Sequence, residues 1–135
     1  MELLVATLCD TAVENQGKLN VIGAFDAIAA QSFPAQFACQ LALRFCFTSK
    51  DHGKHKFSIL LVDEAEPSTT LPEESEMDVN MPEGTPGFST QNMITPLQGT
   101  VAKAGIFHFD VRFGGKVLVR VPLRVIDQKE IAKQA

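Results

Sequence analysis

Four runs of this chain alternate apolar and polar residues with period two, and that alternation restricts them to strands. In 37–47 the odd positions Phe37, Cys39, Leu41, Leu43, Phe45 and Phe47 are all apolar, while Gln40 and Arg44 fall on even positions. In 57–62, Phe57, Ile59 and Leu61 share one face. In 106–113 the odd face is Phe107, Phe109, Val111 and Phe113, with His108, Asp110 and Arg112 opposite. In 117–125 the odd face is Val117, Val119, Val121, Leu123 and Val125, with Arg120 and Arg124 opposite. No window sustains a 3.6-residue stripe, and only 127–135 suits a short helix.

The pattern predicts an all-β chain of seven or eight strands, near 2–8, 18–28, 37–48, 54–63, 76–81, 90–98, 104–113 and 116–126. Gly-bearing connections at 49–54 and 114–115 read as hairpin turns. An antiparallel two-sheet β-sandwich, immunoglobulin-like in general plan, buries such strands at this length. The domain spans 1–126, with an acidic, Pro-rich connection at about 64–90 and a tail over 127–135. The stretch 9–26, CDTAVENQGKLNVIGAFD, reads as the end of one strand, a loop over 10–17 and a second strand. Gly17 suits a positive φ, and Gly23 inside a strand marks a bulge or a close backbone approach.

Spacing also predicts the register of the last hairpin. Strands of one sheet aim their apolar faces the same way, so odd residues must oppose odd residues across 114–115. A plain two-residue turn continued straight would set Phe109 against Arg120 and bury an arginine. The expected solution is a three-residue loop over 113–115, with Gly115 left-handed. Arg112 then opposes Lys116, Phe109 opposes Val119 and Phe107 opposes Val121. A bulge further along the strands would restore the parity differently.

The segments 17–26 (GKLNVIGAFD), Cys9-Asp10, 52–57 (HGKHKF), 61–63 (LVD), 104–111 (AGIFHFDV) and 121–125 (VPLRV) together resemble a family of small bacterial β-sandwich proteins of unknown function. The resemblance covers most of the chain outside the acidic middle. It implies the fold, and brings no activity, cofactor or catalytic residue.

Several function classes lose support on composition. A net charge of −4 disfavours a general nucleic-acid binder. No segment is long and apolar enough for a membrane span. An acid at position 2 and no basic residue before Lys18 argue against a signal peptide. Three cysteines, an odd number, point to reduced thiols and a cytoplasmic location. Ten Phe with no Tyr or Trp read as core material, and leave no aromatic platform for sugars.

Few constellations carry chemistry. Cys9 has no His before position 52 to activate it. His52 and His55 near Asp51 make at most a metal half-site, so no metal and no cofactor is expected. His108, Asp110 and Asp26 suggest an acid–base set without a nucleophile, and a polar strand face explains them equally. From 57 to 102 there is no Lys or Arg, and Asp63, Glu64, Glu66, Glu73, Glu74 and Glu76 form a candidate acidic patch. The runs 37–48 and 54–63, read as one hairpin, are apolar on both faces, which makes Leu60, Val62, Ala42 and Cys46 a candidate interface. The leading expectation is a non-enzymatic interaction or assembly module that binds a protein partner or itself as a homo-oligomer. The alternatives are a hydrolase-like enzyme with acids assembled from separate loops, and a small-ligand- or Ca-binding sandwich.

Overall fold

The computed structural model describes residues 1–67 and 74–134, the last three by backbone alone. Its strands are β1 (Glu2–Asn15), β2 (Lys18–Phe25), β3 (Ala27–Ala30), β4 (Ala35–Phe47), β5 (Gly53–Asp63), β6 (Ser75–Val79), β7 (Ser89–Val101), β8 (Gly105–Phe113) and β9 (Lys116–Asp127). A short helix, α1 (Gln128–Gln134), closes the chain, and Asp127 Oδ1 accepts the Lys129 N–H at its start. One sheet has the order β2-β1-β4-β7 and the other β3-β9-β8-β5-β6. The odd faces found by alternation meet between the sheets. Leu41, Leu43, Phe45 and Phe47 pack there against Phe57, Phe107, Phe109, Val111 and Phe113. Phe45 stacks on Phe47 with centroids 5.7 Å apart and meets Phe57 edge-on at 6.3 Å. Phe88, 70% exposed, is the exception to the reading of Phe as core material.

The supposed hairpin of 37–48 and 54–63 does not exist. β4 lies between β1 and β7, whereas β5 lies between β6 and β8 in the other sheet. The turn at Ser49–Asp51 is a crossover between sheets. Alternation tells which face is inward, and that is satisfied equally by neighbours in one sheet and by strands facing each other across a core. The candidate interface therefore splits. Ala42 and Cys46 belong to the four-stranded sheet, and Leu60 and Val62 to the five-stranded one.

The stretch 10–17 is also not a loop. β1 and β2 pair in one register from Leu8↔Phe25 to Asn15↔Lys18, interrupted only at Asp10 and Gly23, leaving Gln16 and Gly17 as a two-residue turn, both at positive φ. β1 runs antiparallel to β4 from Glu2 to Cys9, where it reaches Gln40. It then reverses over the sheet's outer face. The Ala12 N–H donates to Gln40 Oε1 at 2.6 Å, and Gly17 O accepts from Arg44 Nη1 and Asn92 Nδ2, each at 3.1 Å. Parity explains the reversal. Continued straight, Asp10 and Glu14 would share the core-facing side of Leu8, a costly burial of two charges. Gly23, at φ +69°, permits the bend, because the Asp10 carboxylate occupies the space its Cβ would need. Ala12, Leu19 and Val21 then cover Cys9, Ala42 and Ile94.

The run 18–28 breaks at Asp26, whose carbonyl accepts the Arg124 N–H at 2.7 Å. Beyond it, β3 changes sheets and pairs parallel with β9, so the described residues form nine strands. In the last hairpin the expected three-residue loop is absent. Gly114 and Gly115, both at positive φ, form a two-residue turn with Phe113 opposite Lys116. The register slips once, between Arg112↔Val117 and Val111↔Val119, so Leu118 is the extra residue of a bulge. Odd then opposes odd as the parity argument requires, with Phe109 against Val121 and Asp110 against Arg120. A similar slip near the start of β1 leaves Leu4 as its extra residue. Both bulged leucines are exposed, at 51% for Leu4 and 36% for Leu118.

Candidate functional site: the outer face of the five-stranded sheet

The even positions of β5 and β8 aim away from the core. Across these strands and β9, Leu60 opposes Asp110, which opposes Arg120, and Val62 opposes His108, which opposes Pro122. Ile106 and Leu118 lie exposed on the same face. Leu60 and Val62 are half-buried. The face thus mixes aliphatic side chains with one ordered charge cluster.

That cluster is linear. Glu64 Oε1 lies 3.4 Å from His108 Nδ1, His108 Nε2 lies 3.1 Å from Asp110 Oδ1, and Arg120 Nε lies 3.4 Å from the same oxygen. Strand spacing of two brings His108 and Asp110 together, and the backbone bond from Glu64 N to Ile106 O places Glu64 beside them. Asp110 is 7% exposed. Its Oδ1 sits within ion-pair distance of the His108 Nε2 and the Arg120 Nε, yet neither contact meets hydrogen-bond geometry. Arg112 Nε, on the same face of β8, is the other buried side-chain atom without a hydrogen bond among the described residues. A buried polar atom left unbonded is costly.

The other sequence candidates fall elsewhere. Asp26 is exposed at the sheet switch and joins no acid–base set. Ser58 is buried opposite Arg112, four residues along the strand from Val62 and so about 13 Å from His108. His52 Nδ1 accepts the Met81 N–H, and His55 Nε2–H donates to Asp51 O while its ring packs 4.8 Å from Phe113. Both imidazoles are thereby tied into the fold. No group of three or more metal-ligating side chains occurs among the described residues. Burial pushes the Cys9 thiol up, and the Asp10 charge adds to it. Cys39 is raised by burial first and then by Cys9. Neither is poised as a thiolate.

The acidic patch is dispersed. Glu64 faces His108, Glu66 pairs with Lys103 at 3.2 Å, and Glu74 with Lys56 at 3.8 Å. Glu76 opposes Lys56 across β6 and β5, Asp63 Oδ1 accepts the Ala65 N–H, and Glu73 lies outside the described residues. The stretch 57–102 lacks its own cations, and the fold supplies them from the flanking segments.

A family pattern matches residues 4–126, nearly all of the sandwich just described. The chain belongs to DUF6941, a family of unknown function. No curated protein and no solved structure matches the chain. The DUF6941 match contains the arm of β1 and β2, both bulges and the whole outer face of the five-stranded sheet. No helix among the described residues is long and apolar enough to cross a membrane.

The sequence signal for the site was present in part. Leu60, Val62, His108 and Asp110 were each legible as even-position residues. Glu64, read only as part of the acidic patch, and Arg120, read only as an outward residue of its strand, carried no sign of meeting His108 and Asp110, because Glu64 arrives from the end of β5 and Arg120 is aligned with Asp110 through the Leu118 bulge.

Proposed function

We propose that this chain is a non-enzymatic interaction or assembly module of the cytoplasm, and that it pairs with a second copy of itself through the outer face of the five-stranded sheet. One observation carries the reading. Asp110, nine-tenths buried and incompletely bonded, sits among the aliphatic residues Leu60, Val62 and Leu118 with Arg120 at its rim. Aliphatic residues around an ordered, mixed-sign charge cluster suit protein recognition, and mixed signs allow the patch to complement itself across a two-fold axis. Three free cysteines support the reducing compartment.

The hydrolase reading draws on the same cluster. Both ring nitrogens of His108 already face carboxylates, so neither is directed at a substrate or nucleophile. A stable interface here would bury roughly 1,200–2,000 Å² in total. Light scattering over a concentration series is expected to find a dimer that Leu60→Lys dissociates. A wild type that stays monomeric, or a dimer indifferent to Leu60→Lys, would overturn the assignment.

A further inference from the structure

The reversal of β1 at Asp10 has a consequence for β4. β1 covers the β4 edge only from Gln40 to Cys46, while β7 pairs with β4 along its whole length from Ala35 to Phe47. Among the described residues, the edge of β4 over 35–39 therefore has no paired strand on the β1 side.

The polarity of that edge follows from Pro96, which opposes Gln40 in an unbroken ladder. Proline has no N–H to give, so this pair must be one whose backbone groups point away from each other. Gln40 then aims its N–H and C=O toward β1, and the Cys9 thiol donating to Gln40 O at 3.6 Å agrees. Backbone direction alternates along a strand, so Gln36 and Ala38 present their N–H and C=O to the open edge. Both residues are exposed.

Space lies along the same edge. A shallow, open groove runs between 28–30 and 35–38. A second, of about 380 Å³, continues it past Ala38 to Ala24, Ala27 and Asp10. Among the described residues, Asp10 is the one charged residue lining either, and it is exposed.

We propose that the open edge of β4 is a strand-docking site, which takes an extended segment of a partner protein along the track that β1 leaves. The occupant runs antiparallel to β4 for about five residues, bonds to the backbone of Gln36 and Ala38, and carries a Lys or Arg beside Asp10. Main-chain pairing supplies affinity and the single acid supplies direction, as in other strand-addition complexes. This site is separate from the five-stranded sheet's face, and either can stand without the other.

The probes are two blocked pentapeptides, Lys-Val-Thr-Val-Thr and its Glu-first counterpart, added to the full chain at concentrations on the order of 1 mM. Amide NMR is expected to show shifts and slowed exchange at Gln36 and Ala38. The Lys peptide should bind about threefold tighter than the Glu peptide, the size of one exposed ion pair, and Asp10→Asn should erase that difference. Ala38→Pro removes one outward donor while sparing the ladder to β7, and should abolish binding at unchanged melting temperature. Should that variant unfold, the wild-type and Asp10→Asn titrations decide alone. Unperturbed Gln36 and Ala38 amides with both peptides, or shifts confined to β7, would overturn the proposal.

Discussion

The two outer faces of the sandwich began with the same sequence signature and ended in different states. On the four-stranded sheet, Ala42 is fully buried, because the β1–β2 arm folds back and lays Ala12, Leu19 and Val21 over it. On the five-stranded sheet, Leu60 and Val62 stay partly exposed beside Asp110 and His108. An apolar residue on a strand's second face therefore does not by itself mean an interface. The chain can supply its own cover, and only the uncovered face is a candidate for a partner.

The same substitution on the two faces tests this most directly. Ala42→Lys is expected to cost about 3 kcal/mol, since an ammonium under the arm must either stay buried or force the arm off. Leu60→Lys should cost about 1 kcal/mol, because the side chain reaches water. Denaturant titration of both variants gives the comparison, and equal losses would mean that the faces are not covered differently.

Gly23→Val attacks the arm at its bend. A β-branched residue at φ +69° with Asp10 in the space of its Cβ should cost about 2–3 kcal/mol. The bend would open and expose Cys9, now fully buried. Its alkylation should then accelerate at least tenfold while that of Cys46, which lies outside the arm's cover, stays constant. An unchanged Cys9 rate would mean that something other than the arm protects it.

Asp51 joins the two sheets at the crossover, accepting the Thr48 N–H at 3.0 Å and the Met1 ammonium at 3.2 Å. Burial alone would raise its pKa. The Thr48 bond, the ammonium's bond and charge, and His55 outweigh burial and hold the carboxyl below its ordinary value. A carboxyl lowered in the folded state stabilises above its unfolded pKa and loses that contribution as pH falls through the folded one. Wild type should exceed Asp51→Asn by about 1 kcal/mol at neutral pH, and the gap should close below about pH 4. A gap that persisted at pH 2 would assign the effect to packing.

The smallest effect belongs to the acidic segment. Lys103 and Glu66 are both mostly exposed, so Lys103→Ala should shift stability by less than about 0.5 kcal/mol. A larger loss would give the segment 63–67 a structural weight that its exposure does not suggest.

Local pattern by itself determined the β class, the inward residues of β4, β5, β8 and β9 except Val117, which the bulge sets opposite the outward Arg112, and the rule that odd must oppose odd in the last hairpin. Each follows from a two-residue period, which any strand must express. Tertiary structure alone decided that β4 and β5 face each other rather than pair, because inward-pointing residues look alike in both arrangements. It also decided how the hairpin parity is restored. A three-residue loop and a bulge at Leu118 satisfy the same rule, and the chain takes the bulge. The arm was hidden for a related reason. The period of 10–15 gives a strand, but the reversal at Asp10 depends on what Asp10 and Glu14 would meet if the strand ran straight. Likewise Glu64 reaches His108 from just past the end of β5 and Arg120 reaches Asp110 from β9, and residues on different elements carry no local sign of their meeting.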